Sequence, residues 1–144
     1  MKKLYYSAFA YLIVGLLSGL FFREMTKLNG VFEQTSLGKV HGHILTLGFL
    51  MFIILMLLEK NFGITQSSTF SLFFIFYHIG VIVSYTVMTV RGVLTILEIK
   101  GSLNLSDGLD AAIAGMSGIG HIILSIALVM LMFILKGRLF PKKA

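Results

Sequence analysis

Residues 40–60 read VHGHILTLGFLMFIILMLLEK. The stretch from Lys39 to Leu58 is twenty residues long and carries no acid and no base after Lys39 except two imidazoles, His41 and His43. About 20 mostly apolar residues are what an α-helix needs to cross a bilayer. The reading is therefore a membrane span with two histidines in its first turns.

Three further stretches match it. The expected spans are 4–22, 39–58, 69–97 and 111–135. The third has an apolar core that reaches at least Val90 and continues past Arg91 towards Lys100. Composition agrees: 57% of the 144 residues are hydrophobic and 12% charged, with a mean hydropathy of +0.95. A soluble domain keeps roughly a quarter of its residues charged. The expected fold is all-α, a single integral membrane four-helix bundle over residues 1–144, multi-pass in the cell inner (cytoplasmic) membrane. The basic, apolar N-terminus has the look of a signal peptide, but its apolar stretch is long and "FFREM" is a poor cleavage site, so it reads as a retained helix.

The linkers carry turn and cap chemistry. Asn29-Gly30 is a turn pair, and Asp107 and Asp110 suit the start of the fourth helix, where the dipole favours negative charge. Basic residues gather at the chain ends: Lys2 and Lys3 before the first span, then Lys136, Arg138, Lys142 and Lys143 after the fourth. The first and third linkers mix signs. The positive-inside rule then puts both termini in the cytoplasm and the histidine end of the second span outside. The same distribution makes the net charge of +6 a mark of membrane orientation, with no nucleic-acid partner implied. The absence of cysteine removes disulfides, thiolate metal sites and cysteine nucleophiles. No carboxylate lies mid-span, which argues against a proton pump built on a buried acid.

All four histidines, His41, His43, His78 and His121, fall inside expected spans, and three helices contribute. Ionisable groups at membrane depth are costly and usually functional. Imidazole is the commonest metal ligand and the usual axial ligand of haem iron. Counted from the cytoplasmic ends, His43 lies 16 residues from Glu59, or ~24 Å, and His121 lies 15 from Lys136, or ~22 Å. His78 lies deeper, ~16 Å from Ser67. His43 and His121 are thus level, as two axial ligands require. His41 and His43 sit ~200° apart on a helix and must face different neighbours.

Arg91 interrupts an apolar stretch. It either snorkels to headgroups or clamps a carboxylate, such as a haem propionate, with Lys39 one turn before His43 to assist. Glycines on the first span (Gly15, Gly19) and on the fourth (Gly115, Gly118, Gly120) serve close helix packing or leave room for a flat cofactor.

The stretch VHGHILTLGFLMFIILMLLEK resembles the H-x-H-x-x-x-x-G span of a small family of bacterial four-span proteins, the domain of unknown function 2871 family. The likeness covers most of the chain and implies four helices and a histidine set, with no assigned chemistry. More loosely, the pattern is similar to haem-copper oxidases and nitric oxide reductases. There a histidine on the second helix, often followed by glycine, ligates low-spin haem, and a late helix supplies its partner. That likeness matches His41-Gly42 or His43 to the first ligand and His121 to the second. The oxidases' copper-ligating histidines have no counterpart here, so the likeness does not extend to oxygen reduction.

Three functions follow as expectations. The first is a cytochrome-like protein holding non-covalent haem b between His43 (or His41) and His121, for electron transfer or for handling oxygen or nitric oxide. In it, His78 and the spare histidine serve a second haem or metal, with a homodimer and a redox partner as companions. The second is a membrane enzyme with a zinc, copper or non-haem iron site built from His41, His43, His78 and His121. The third is a non-enzymatic accessory or assembly subunit.

Overall fold

A computed structural model describes residues 1–140. The expected bases Lys142 and Lys143 lie outside the described residues. Four helices are long and apolar enough to cross a membrane: α1 (Lys2–Asn29), α2 (Leu37–Phe62), α3 (Phe70–Ile99) and α4 (Asp107–Leu139). The chain is a multi-pass membrane protein. Each helix outruns its expected span, with lengths of 28, 26, 30 and 33 residues. At 1.5 Å per residue these are ~39–50 Å long, against a hydrocarbon core of ~30 Å, so the charged ends project beyond it.

The ends stop where capping chemistry stops them. Gly30 and Gly63 take left-handed backbone (φ 66° and 60°) at the C-termini of α1 and α2. The Gly30 N–H returns to the Lys27 carbonyl and the Val31 N–H to that of Thr26, closing α1's last turn. Ser106 caps α4, its Oγ accepting from the Leu109 N–H, with Asp107 and Asp110 in the first turn as expected.

The helices do not form a closed square. α3 is the hub, packed along α4 and against α2, while α1 lies along α2 and barely meets α3; α1 and α4 do not touch. Backbone approach decides these contacts. A Cβ on Gly80 would sit 2.9 Å from the Leu124 nitrogen of α4, and Gly92 backs directly onto the Leu37 backbone of α2. Gly15 packs on Leu45 and Ile44, whereas Gly115 and Gly118 face open space. The core gathers Phe52, Leu55, Phe73 and Tyr77 at one end and Leu37, Val40 and Ile96 at the other.

Within α2, residues Ile44–Leu50 form a π-helical segment directly after His43. Where α geometry resumes, the Met51 N–H bonds to the Thr46 and Gly48 carbonyls and passes over that of Leu47. The Tyr77 hydroxyl donates to the Leu47 carbonyl at 2.7 Å, so the freed acceptor is satisfied from α3.

One end of the bundle collects both chain ends. Met1–Leu4 and Phe70 border one shallow depression, and Arg138 donates to the Phe62 carbonyl and the Gln66 side chain. The His41–His43 end of α2 and the α3–α4 linker lie at the other.

Candidate functional site

Towards the end of the bundle that holds His41, His43 and the α3–α4 linker, α2 and α4 stand apart, with α3 between them as a floor. The cleft there encloses about 230 Å³, bounded by Ser36 of α2, Met88 and Arg91 of α3, and Asp110, Ala114 and Ser117 of α4. His43 is seven residues after Ser36, nearly two full turns, and so continues the same edge of α2. His121 is one turn beyond Ser117 and continues the facing edge of α4. Neither imidazole is among the residues that line the cleft; helix spacing puts each on the continuation of one of its edges. Both are level with the middle of α3: Gly120 packs on Ser84, and His43 lies between Leu37, which meets Gly92, and Leu47, which meets Tyr77.

Both rings are exposed and share one local geometry. His43 Nδ1–H donates to the Lys39 carbonyl at 2.9 Å, and His121 Nδ1–H to the Ser117 carbonyl at 2.8 Å. A carbonyl only accepts, so each proton sits on Nδ1 and the lone pair on Nε2 faces away from the parent helix. Metal-ligating histidines are usually held by such a bond from the other ring nitrogen. The Ser125 hydroxyl donates to the His121 carbonyl at 2.8 Å and firms the next turn.

One unpaired group lies in the α3–α4 contact beyond the cleft lining. The Ser84 hydroxyl is buried with no hydrogen-bond partner, and a Cβ on Gly120 would meet it at 2.8 Å. The α4 wall is Asp110, Ile113, Ala114 and Ser117, and Gly118 beside it faces open space.

Arg91 closes the cleft at the linker end. The choice between headgroup and carboxylate falls to a carboxylate of the protein itself: Arg91 pairs with Asp110, both half-exposed. The pair ties α3 to the first turn of α4. Lys39 is exposed one turn before His43, and its carbonyl holds that ring.

The other two histidines face elsewhere. His41 turns to α1, where a Cβ on Gly19 would lie 3.8 Å from its ring, and its Nδ1 is buried without a partner. The two-residue spacing splits the pair as helix geometry requires: His41 turns to α1, and His43 stands exposed on another face of α2. His78 also meets α1, but at Tyr11 and Ser7, eight and twelve residues before Gly19, or ~12–18 Å along the helix. His41 and His78 are therefore not brought together. His78 Nδ1 meets the Tyr11 hydroxyl at 2.6 Å and Nε2 the Ser7 hydroxyl at 3.2 Å, within the rings of Tyr11, Phe52 and Phe74. Among the described residues no three His, Asp or Glu side chains converge as a metal site.

Sequence reasoning missed Ser7, Tyr11 and Ser84. Tyr11 and Ser7 sit four apart on one face of α1, a polar pair in an apolar span, and that spacing was a usable signal. Nothing in the sequence distinguished Ser84 from the serines that face outward.

No curated protein and no solved structure matches the chain. A family model does match, over residues 1–138, and its description is a protein of unknown function, DUF2871. With the four helices and the H-x-H span inside that match, the chain belongs to the DUF2871 family.

Proposed function

We propose that the protein is a membrane cytochrome-like carrier, holding haem b in the α2/α4 cleft between His43 and His121. One observation carries the reading. Two exposed imidazoles stand at about the same level of α3, on the α2 and α4 edges that continue the cleft's walls, each with Nδ1–H bound to its own helix. Left in lipid, two such polar rings would be costly, and a bound metal centre removes that cost.

The donor set suits non-covalent haem: two imidazole nitrogens from different helices, with the small side chains of Ala114 and Ser117 on the α4 edge between Asp110 and His121. When bound, haem supplies one-electron transfer, and with an open axial position it also supplies gas binding. The chain's own residues orient the ligand rings through the Lys39 and Ser117 carbonyls. Arg91, already paired with Asp110, stands at the outer end with a second face of its guanidinium for an anionic group. The enclosed 230 Å³ is below the ~300 Å³ at which small-molecule sites begin, so the walls enclose an edge of a macrocycle only. The remainder would meet lipid or a second copy of the chain, which favours a homodimer. A three- or four-histidine zinc, copper or iron centre has less support, because no three donors converge. The clustered bases Lys2, Lys3, Lys136 and Arg138 favour a cytoplasmic end for both termini in an inner membrane.

The test is spectroscopic. The full chain is expressed with haem supplied, purified in detergent, and scanned oxidised and dithionite-reduced. A Soret band with sharp reduced α and β bands is expected. A colourless, metal-free protein that keeps its helical circular dichroism overturns the proposal.

A further inference from the structure

A second and larger cleft opens between α1 and α3, which pack only lightly on each other. Its volume is about 560 Å³, within the ~300–1,000 Å³ of small-molecule sites. Its mouth lies on the side of the bundle, beside the exposed Tyr6 and Ile82, both inside spans. A ligand therefore enters from the lipid. No charged side chain lines it, so the ligand is neutral.

The polar groups stand at two ends. At one, His78 links Tyr11 and Ser7. Take the imidazole as neutral. The triad then holds three hydrogens, one each on the ring, the phenol and the serine hydroxyl, and makes two internal hydrogen bonds. If His78 carries its proton on Nδ1, the phenol proton is spare. If on Nε2, the serine proton is spare. In either tautomer one hydroxyl proton is left over, and the hydroxyl oxygens keep free lone pairs. At the other end stand Thr86 and the Tyr85 hydroxyl, the latter seven residues and two turns from His78, or ~10 Å along α3. The Ser18 hydroxyl beside it is already committed to the Val14 carbonyl at 2.6 Å and meets Tyr85 only at 3.4 Å. Between the ends the lining is apolar: Ala10, Val14, Ile44 and Ile82.

We propose that this cleft binds the ring of a lipid-soluble quinone or quinol, one ring oxygen held by the Ser7–His78–Tyr11 triad and the opposite edge facing Tyr85. The ligand class follows from what the cleft asks for. It must be neutral, reach the site through lipid, and present oxygens at opposite edges of an apolar ring. Those oxygens accept in the quinone and donate in the quinol, and the triad's hydroxyls can answer both. A plain acyl chain would leave the spare donor without a partner. Gly48 of α2 leaves room for the Tyr11 ring, where a Cβ would fall 2.6 Å from it, and the phenol reaches His78. The proposal does not depend on haem in the other cleft.

The test uses the full chain in phosphatidylcholine nanodiscs free of quinone, with a short-tailed benzoquinone as probe and calorimetry as the readout. Saturable binding is expected. Tyr11→Phe and Ser7→Ala should each weaken it about threefold to tenfold, the worth of one net hydrogen bond. Ala10→Phe, which fills the cleft without touching the triad, should abolish it. A folded protein with no saturable binding overturns the proposal. So does wild-type affinity in both Ala10→Phe and Tyr11→Phe. Equal displacement by a ringless isoprenoid alcohol also overturns it, since the cleft is then a groove for lipid tails.

Discussion

The two clefts use the same residue type in opposite ways. On the α2/α4 side, His43 and His121 each spend one nitrogen on their own helix and keep the other free. On the α1/α3 side, His78 spends both nitrogens on α1 and is caged by three aromatic rings. An imidazole bonded only to its own backbone can still take a ligand from outside. One bonded on both sides to a neighbouring helix is a joint in the fold, and it offers a ligand the protons its partners have left over. In this chain the bonding partners separate the histidines into roles more sharply than depth in the bilayer does.

The largest expected effect breaks the comparison at its centre. His121→Ala should lose haem or shift it to high spin in the reduced spectrum, while His78→Ala keeps the bis-histidine bands. A spectrum unchanged by the first variant and lost in the second would reverse the assignment of the two clefts. Close behind is a pair of glycine variants on α3 and α4. Gly80 backs onto the Leu124 backbone, so Gly80→Leu must separate α3 from α4, at a cost of ~1–3 kcal/mol or more. Gly118 faces open space. Gly118→Leu should therefore unfold in detergent at the wild-type temperature, whereas Ala114→Leu, on the cleft wall itself, should bind less haem.

A smaller effect is expected at the π segment that lies between the clefts. Tyr77→Phe strands the Leu47 carbonyl in the core, a loss of ~1–3 kcal/mol that equilibrium unfolding in mild denaturant should register. If the loss is absent, the π segment has relaxed to α geometry and satisfied that carbonyl itself. The smallest effect belongs to the Arg91–Asp110 pair. With both side chains half-exposed, Arg91→Gln should cost less than ~1 kcal/mol, and less still at high salt. A larger, salt-independent loss would show that the pair does more than join α3 to α4.

Much of this molecule was open to reading before any coordinates. The four spans, the Gly30 turn and the acidic start of α4 rest on local rules of length, backbone conformation and dipole, and local rules act on neighbours in sequence. The level placement of His43 with His121 followed from counting residues, because rise per residue is a constant of the helix. Residue-by-residue helix ends were shorter in expectation than in the structure, since an apolar window stops at the first charges while the helix runs on through them.

Direction around the helix was another matter. The two-residue spacing required His41 and His43 to face apart, and no local rule says which of them meets α1. That was settled by the close fit of Ile44 and Leu45 on Gly15 of α1, of Gly48 on Tyr11 of α1, and of Leu37 against Gly92 of α3, which sets the rotation of α2. The partner of Arg91 came from the next helix, nineteen residues on, and that of His78 from α1, sixty-seven and seventy-one residues earlier. The chain by itself determined that this is a four-span membrane protein of the DUF2871 family carrying its imidazoles at membrane depth. Which imidazoles are free and which are joints was decided only by tertiary packing, because hydrogen-bond partners on different helices are chosen by helix rotation and not by spacing along one of them.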